Sequence, residues 1–445
     1  MKTIIITSFH PFVSRNILSA PFFGMLKKAP GARIVIVCPE KKKDFLQKEY
    51  GAVNVFVEGV PGRIRRLDAF FKDLATAAVR TRSLTIMQKM RIGFERPWLI
   101  RALRPFALFL RPLIPFLYRL IMPKNAYAEL FEKWKPLLVF STDVFGSADS
   151  RITNEAKCRG IATIGMVRSW DNLTTKGGFR VIPDTLVVNN EIVKREAVEI
   201  HNISPKIIRV VGVPHYDRYK CPNLNALKAE WLVRGKRIIL YSPLGDRIIK
   251  VGDGEVGRGF DDGMIRLLAR VIPDSHILFV RMPPTDTVFL DEKTMPNNVV
   301  IERPGTRFGD GGKAIKVTEL SAADDIRLVE TICGSDIVLT VFSSIAVDAL
   351  VLGKTVILLG CDPKPTPFWK SVARLHELDH IQPLVAEGIP AVYDIPALRS
   401  ALFRLLENPD ADQKAQEQVA NEQAYGNDGR ASERLLEVVL SAIKS

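Results

Sequence analysis

Cysteine is scarce in this chain of 445 residues, and the five present (Cys38, Cys158, Cys221, Cys333, Cys361) are scattered, odd in number and without a CxxC pair. That argues against a disulfide framework and against a zinc ribbon, and makes a reducing cytosol the default compartment. No glycine-rich run ends in the lysine and hydroxyl residue of a P-loop, which speaks against NTP hydrolysis. Met1-Lys2 leads straight into the strand-like Thr3-Ile4-Ile5-Ile6 and then His10-Pro11, an apolar run too short for a secretory signal to be expected there.

What is present fits a globular α/β protein. The apolar share of 47% and the length allow two domains with substantial cores. The net charge of +14 is unevenly placed: residues 1–125 hold 23 Lys and Arg against 7 Asp and Glu, which is more than the whole excess. Such asymmetry marks a surface for phosphates of nucleic acid or of anionic lipid. Residues 98–122, WLIRALRPFALFLRPLIPFLYRLIM, look at first like a membrane span. Four central arginines would cost about 2.5 to 3.5 kcal/mol each, while the Leu, Ile and Phe residues return only roughly 0.3 to 0.6 each. Pro105, Pro112 and Pro115 would interrupt the helix as well. At about 100° per residue, Arg101, Arg104, Arg111 and Arg119 fall on one face, opposite Leu, Phe and Ile. A helix or pair of short helices lying in the membrane interface fits this pattern, and a hairpin packed on the first domain with solvated arginines is the plain alternative. No helix-turn-helix, zinc finger or ribonucleoprotein motif accompanies the charge, so nucleic acid is not the expected partner.

Strand-like and helical segments alternate. The strands Thr3–Thr7, 33–37, 53–57, 137–140, 162–167 and 185–188 make a first series, and 207–211, 237–241, 277–280, 299–301, 337–341 and 355–359 a second. Alternation of this kind predicts mostly parallel sheets covered by helices. The economical architecture is two Rossmann-like domains facing a cleft: an acceptor domain over 1–212 with a basic amphipathic helical insertion at about 61–124, a nucleotide domain over 213–424, and a last helix over 425–445 that packs back across both.

Several motifs carry chemistry. After the strand ending at Val341, Ser343 and Ser344 open a helix, with Asp348 one turn on. In an open parallel sheet, ligands bind beyond the carboxyl ends of strands, where free N–H groups meet an anion. Serines there approach a phosphate closely and Asp348 accepts from a ribose or polyol hydroxyl; an ordinary helix cap is the alternative. Arg168-Ser169-Trp170-Asp171-Asn172 follows the strand ending at Val167. If that loop faces the cleft, Asp171 is the general base on an acceptor hydroxyl, and Arg168 and Lys176 hold phosphate beside Trp170 and Asn172. A turn capped by Asp171 and Asn172 is the alternative there. His10, on the first strand-to-helix loop, is a second base candidate. The GxGxxG run Gly252 to Gly257 lies too far from its strand and among acidic residues for a dinucleotide fingerprint. The HExxH run His376 to His380 lacks a third ligand, and Pro383 closes any helix it could sit on, so no metal is expected.

Four separated segments resemble the CDP-glycerol glycerophosphotransferase family within the GT-B glycosyltransferase superfamily. They are Ile239-Leu240-Tyr241-Ser242-Pro243 with Arg247; Gly212-Val213-Pro214-His215-Tyr216-Asp217; Ser343-Ser344 with Asp348; and Asp428-Gly429-Arg430-Ala431-Ser432-Glu433-Arg434. Three departures accompany the likeness: Trp170-Asp171-Asn172 stands for a Trp-His-Gly motif, Arg281-Met282-Pro283-Pro284 for an Arg-x-His-Pro run, and Val341 for an Asp before the serine pair. The resemblance implies a metal-independent transferase without a cofactor, moving a sugar or polyol phosphate from a nucleotide-activated donor to a lipid-linked acceptor in surface-polymer synthesis. Arg247, Arg281, Ser343 and Ser344 would neutralise the donor phosphates. The protein would sit in the cytoplasm, peripheral on an anionic membrane surface. A UDP-sugar 2-epimerase and a non-catalytic binding protein of the same fold are the competing readings.

Overall fold

The computed structural model describes residues 1–61, 66–90, 96–220, 236–245, 259–284, 288–308 and 318–443. Arg247 and the GxGxxG run lie outside them. Seven parallel strands form the first sheet: β1 (Lys2–Thr7), β2 (Ala32–Pro39), β3 (Val55–Val60), β4 (Leu138–Ser141), β5 (Ala162–Met166), β6 (Thr185–Val188) and β7 (Ile208–Val210), in the order β3-β2-β1-β4-β5-β6-β7. The second sheet joins β8 (Arg237–Ser242), β9 (His276–Arg281), β10 (Val299–Glu302), β13 (Ile337–Thr340), β14 (Thr355–Leu359) and β15 (Ala391–Val392), in the order β10-β9-β8-β13-β14-β15. A short antiparallel pair, β11 (Thr306–Arg307) and β12 (Thr318–Glu319), stands apart. Continuous apolar runs such as Ile4-Ile5-Ile6 and Val356 to Leu359 are buried on both faces, as parallel strands covered by helices require.

Two details differ from the expected order. The strand at 208–210 pairs with β6 and closes the first sheet, where the sequence pattern had put it at the start of the second series. The two-residue strand β15 carries too short a pattern to be seen in the sequence.

The connection between domains is tightly built. Gly212 has φ +90°, and a Cβ there would meet the Ala431 side chain at 2.9 Å, so only glycine passes under the last helix. Asp217 then caps that helix, accepting from the Ala431 and Ser432 N–H groups at 3.1 and 2.6 Å. The helix Ala431–Ala442 buries Leu435 and Val439 in the core of the first domain. Two of the family-like motifs are therefore one architectural joint.

The helical insertion includes Arg66–Ala77, Arg82–Lys89, Pro97–Leu103 and Ala107–Ile121. Contrary to the expectation from its prolines, the last of these runs unbroken through Pro112 and Pro115. Its Ile114 and Tyr118 pack on Phe71, Leu74 and Ala78, which holds the helix despite two missing backbone bonds. The arginine stripe is also arranged differently. Arg104 turns inward, donating to Thr85 Oγ1 at 2.6 Å and Gln88 Oε1 at 3.2 Å, and Arg111 is half-buried, while Arg101 and Arg119 stay exposed. The outer face is instead apolar, with Phe109 78% and Trp98 69% exposed beside Leu108, Phe116 and Leu120. Among the described residues no helix is long and apolar enough to cross a membrane.

Candidate active site

The carboxyl ends of strands from both sheets meet around a cavity of about 310 Å³. From the first domain, the loop after β1 brings His10 and Arg15 to it, and the loop after β5 brings Arg168, Trp170, Asp171, Asn172 and Lys176. Facing them are Ser242 at the end of β8, Arg281 at the end of β9, Ser343, Ser344 and Asp348 beyond β13, and His380 beyond β14. Every candidate residue that lies among the described ones lines this one cavity. Ligands of open α/β sheets bind at such carboxyl ends.

The loop after β5 is held from behind. Gly177 has φ +88°, and a Cβ there would lie 2.7 Å from the Thr76 backbone, so the loop presses directly on the helical insertion. The Gly178 N–H donates to Ala75 O at 2.7 Å. The Asp171 carboxylate accepts from Asn172 Nδ2 at 3.1 Å and Thr175 Oγ1 at 3.0 Å. Burial pushes this carboxyl up, but His380, Lys176, a Ser169 hydrogen bond and Arg168 outweigh it and hold it at about 2. That corrects the role expected for Asp171: a carboxylate so stabilised is a weak base near neutrality. His10 caps the turn Pro11–Val13, its Nδ1 accepting from the Phe12 N–H at 3.2 Å.

The expected phosphate contacts of Arg281 and Arg168 also need correction, because both already have carboxylates. Arg281 is buried, with Nη1 on Glu302 and Nη2 donating to Asp324 O at 2.9 Å. Arg168 Nε bonds Asp143 Oδ2 at 2.9 Å. Asp348, expected to take a ligand hydroxyl, is 1% exposed and has both oxygens engaged. Arg15 Nη1 reaches one at 3.2 Å; Tyr219 Oη at 3.2 Å and His215 Nε2 at 3.5 Å reach the other. Burial would raise the Asp348 carboxyl, yet Arg15 and His215 keep it below its usual value. Asp348 thus ties the first domain, the connecting turn and the second domain together. The serine pair keeps its position, half-buried at the cavity wall, and Ser344 N-caps the short helix Ile345–Val351 without a side-chain cap bond. Lys176 is exposed at the rim.

Three cleft residues escaped the sequence reading. Arg15 had no motif around it. Asp325 pairs with Arg218 across the joint, a contact only the fold creates. His380 belongs to the HExxH run, but the 3-10 turn Val372–Glu377 ends before it, and His376 turns away to Val341 O at 3.0 Å. The two imidazoles therefore share no helical face, and no described group of three His, Cys, Asp or Glu residues is placed to hold a metal.

No protein-family model and no curated protein matches the chain. Solved structures share its architecture over its whole length. A UDP-GlcNAc 2-epimerase from Neisseria meningitidis, solved with UDP-GlcNAc bound, matches 99% of this chain and 100% of its own at 14% identity and a TM-score of 0.54. MnaA of S. aureus, solved with UDP, matches 100% of this chain and 98% of its own at 12% identity and a TM-score of 0.55. The wall teichoic acid polymerase TagF, as a variant, matches 100% of this chain and 89% of its own at 12% identity and a TM-score of 0.52. Identities this low speak for the fold alone, and that fold is the GT-B arrangement of two Rossmann-like α/β domains over a cleft.

Proposed function

We propose that this chain is a GT-B-type transferase that moves a sugar or polyol phosphate from a nucleotide-activated donor to a lipid-linked acceptor in surface-polymer synthesis. One observation carries the reading: strand ends of both sheets converge on a single cavity whose walls differ in kind. The second-domain wall offers the serine pair and small hydroxyl residues, fit for donor phosphates. The first-domain wall offers Trp170 and Lys176 and is continuous, through Gly177, with the helical insertion. That insertion exposes Phe109, Phe116 and Leu120, and its Arg101 and Arg119 are exposed as well, the chemistry of an anionic lipid surface. Structural relatives solved with UDP or UDP-GlcNAc support a nucleotide-linked ligand. Ser343, Ser344 and Lys176 are the groups assigned to the donor phosphates, with Arg168 and Arg281 behind them.

The epimerase reading shares the cleft and has no use for the exposed face. Incubation with UDP-, CDP- and GDP-linked donors, with and without a lipid-linked saccharide in vesicles, separates the two. Nucleotide release that depends on the acceptor supports the transferase. A new sugar formed from donor alone replaces it by the epimerase, and a cleft that binds no nucleotide removes both.

A further inference from the structure

We infer that His380 is the acid–base residue of this cleft, accepting the proton of the attacking hydroxyl, with Asp171 as the fixed charge that stabilises its protonated form. The inference rests on the transferase reading above, and its geometry stands on its own observations. His380 lines the cavity from the second domain and is 6% exposed. Its ring meets Trp170 edge-on at 4.9 Å and 79°, and Phe342 lies at 6.4 Å, so two aromatic walls orient the imidazole.

The six histidines of the chain differ in one respect. His10, His201, His215, His276 and His376 each have a ring nitrogen bonded, to Phe12 N, Leu173 O, Asp348, Ser275 Oγ and Val341 O respectively. For His380 no such bond exists among the described residues; its Nδ1 is buried without a partner, as are those of His201 and His215, but theirs are offset by a bond at the other nitrogen. A buried polar nitrogen left unbonded is costly, and a cavity wall is where that cost has a use.

The charges around it are arranged for proton transfer. Burial lowers the imidazole below its ordinary value, while Asp171 and Asp379 oppose that. Against its own burial, the Asp171 carboxyl is held low by His380 first, then by Lys176, a Ser169 hydrogen bond and Arg168, so carboxylate and imidazolium stabilise each other. Asp379 is pinned, accepting from the Ser83 N–H at 2.8 Å while its N–H donates to Ser83 Oγ at 2.8 Å, which fixes the His380 turn on the helical insertion. In the step proposed, the acceptor oxygen forms its bond to the donor's electrophilic carbon or phosphorus. Its proton passes to neutral His380, the donor's bond to the nucleotide breaks with its electron pair leaving on the nucleotide phosphate, and the imidazolium later returns the proton to water. A neutral imidazole is suited to this, and the neighbouring carboxylate, paired and ionised, serves it as the counter-charge.

The test uses the full chain with UDP-GlcNAc and CDP-glycerol as donor probes. His380→Gln is expected to lower kcat about 100-fold or more, to leave KM and UDP affinity within about 3-fold, and to remove the acidic limb of the pH–rate profile. Asp171→Asn is expected to lower kcat less and to shift that limb. His380→Gln turning over within about 3-fold of the parent overturns the assignment. Should the variant fail to fold, imidazole NMR on the parent protein decides: of the six histidines, the His380 signal is expected to move most on adding donor, and an unperturbed His380 overturns the inference even if turnover is never found. Failure of the transferase reading shows separately, as a parent protein that turns over neither donor.

Discussion

The cleft and the outer face of the helix Ala107–Ile121 handle unfavourable burial and exposure in opposite ways. In the cleft, charges are buried and answered from within the chain: Arg15 by Asp348, Arg218 by Asp325, and nearby Lys42, wholly buried, by Glu319 at 2.8 Å and Thr318 O at 2.8 Å. Each of these pairs joins elements far apart in sequence. On the helix face, large apolar side chains are exposed and no described element covers them. A buried pair fixes geometry, because removing one partner strands the other. An exposed apolar face points outward, to something the described residues do not supply. The first region explains how two domains hold one cavity; the second is the feature on which the proposed lipid-facing role rests.

The contrast breaks most sharply at Asp348. Replacing it by Ala leaves Arg15 buried without its paired carboxylate, and a loss of about 3 to 5 kcal/mol is expected in urea unfolding. Adding Arg15→Met to that variant is expected to recover much of the loss; equal stability of parent and single variant would dissolve the idea of a keystone pair. On the outer face the opposite holds. Phe109→Glu with Phe116→Glu should leave stability within about 0.5 kcal/mol of the parent. Partition into anionic vesicles should fall about 100-fold or more, since the two Phe contribute roughly 1.5 to 3 kcal/mol each when buried. Flotation that stays unchanged, or that ignores lipid charge, counts against a lipid-facing role.

Glu196, behind Asp171, gives a pH-dependent version of the same contrast. Burial, with Asp379 and Asp171 adding to it, pushes its carboxyl up to about 8 from an ordinary 4.5. The folded chain therefore holds a proton there that the unfolded chain releases above about 4.5. Its stabilising share is complete below that pH and is lost as pH rises through about 8. Glu196→Gln should flatten the stability profile between these values by up to about 1.4 kcal/mol per pH unit; an unchanged slope would place the carboxylate in a wetter setting. Smallest is the joint itself: Asp217→Ala removes a helix cap and should cost about 1 kcal/mol, read as a lower midpoint in the same urea titration.

Much of the fold was legible because parallel strands buried on both faces write themselves as apolar runs, and Thr185–Val188 and Thr355–Leu359 were bounded to the residue. The cleft was legible as a set of loops, since hydroxyl and aromatic residues directly after buried strands have few packing reasons to be there. Its partners were not. Nothing in the sequence tells Asp348 that Arg15, more than three hundred residues away, will meet it, and so a buried ion pair read as a ligand contact. The arginine stripe failed for a related reason: helical periodicity shows which residues share a face, while the Thr85 and Gln88 groups that draw Arg104 inward come from another helix. His380 was hidden because a metal motif offered a ready explanation for it.

The central claim is that a nucleotide-linked donor binds between the two domains. Hydrogen exchange of the full chain with saturating UDP, CDP, GDP or CMP tests it most directly. The account predicts that one nucleotide slows exchange together in residues 168–176 of the first domain and 342–348 of the second. No protection by any of the four, or protection confined to segments away from the cleft, would contradict it.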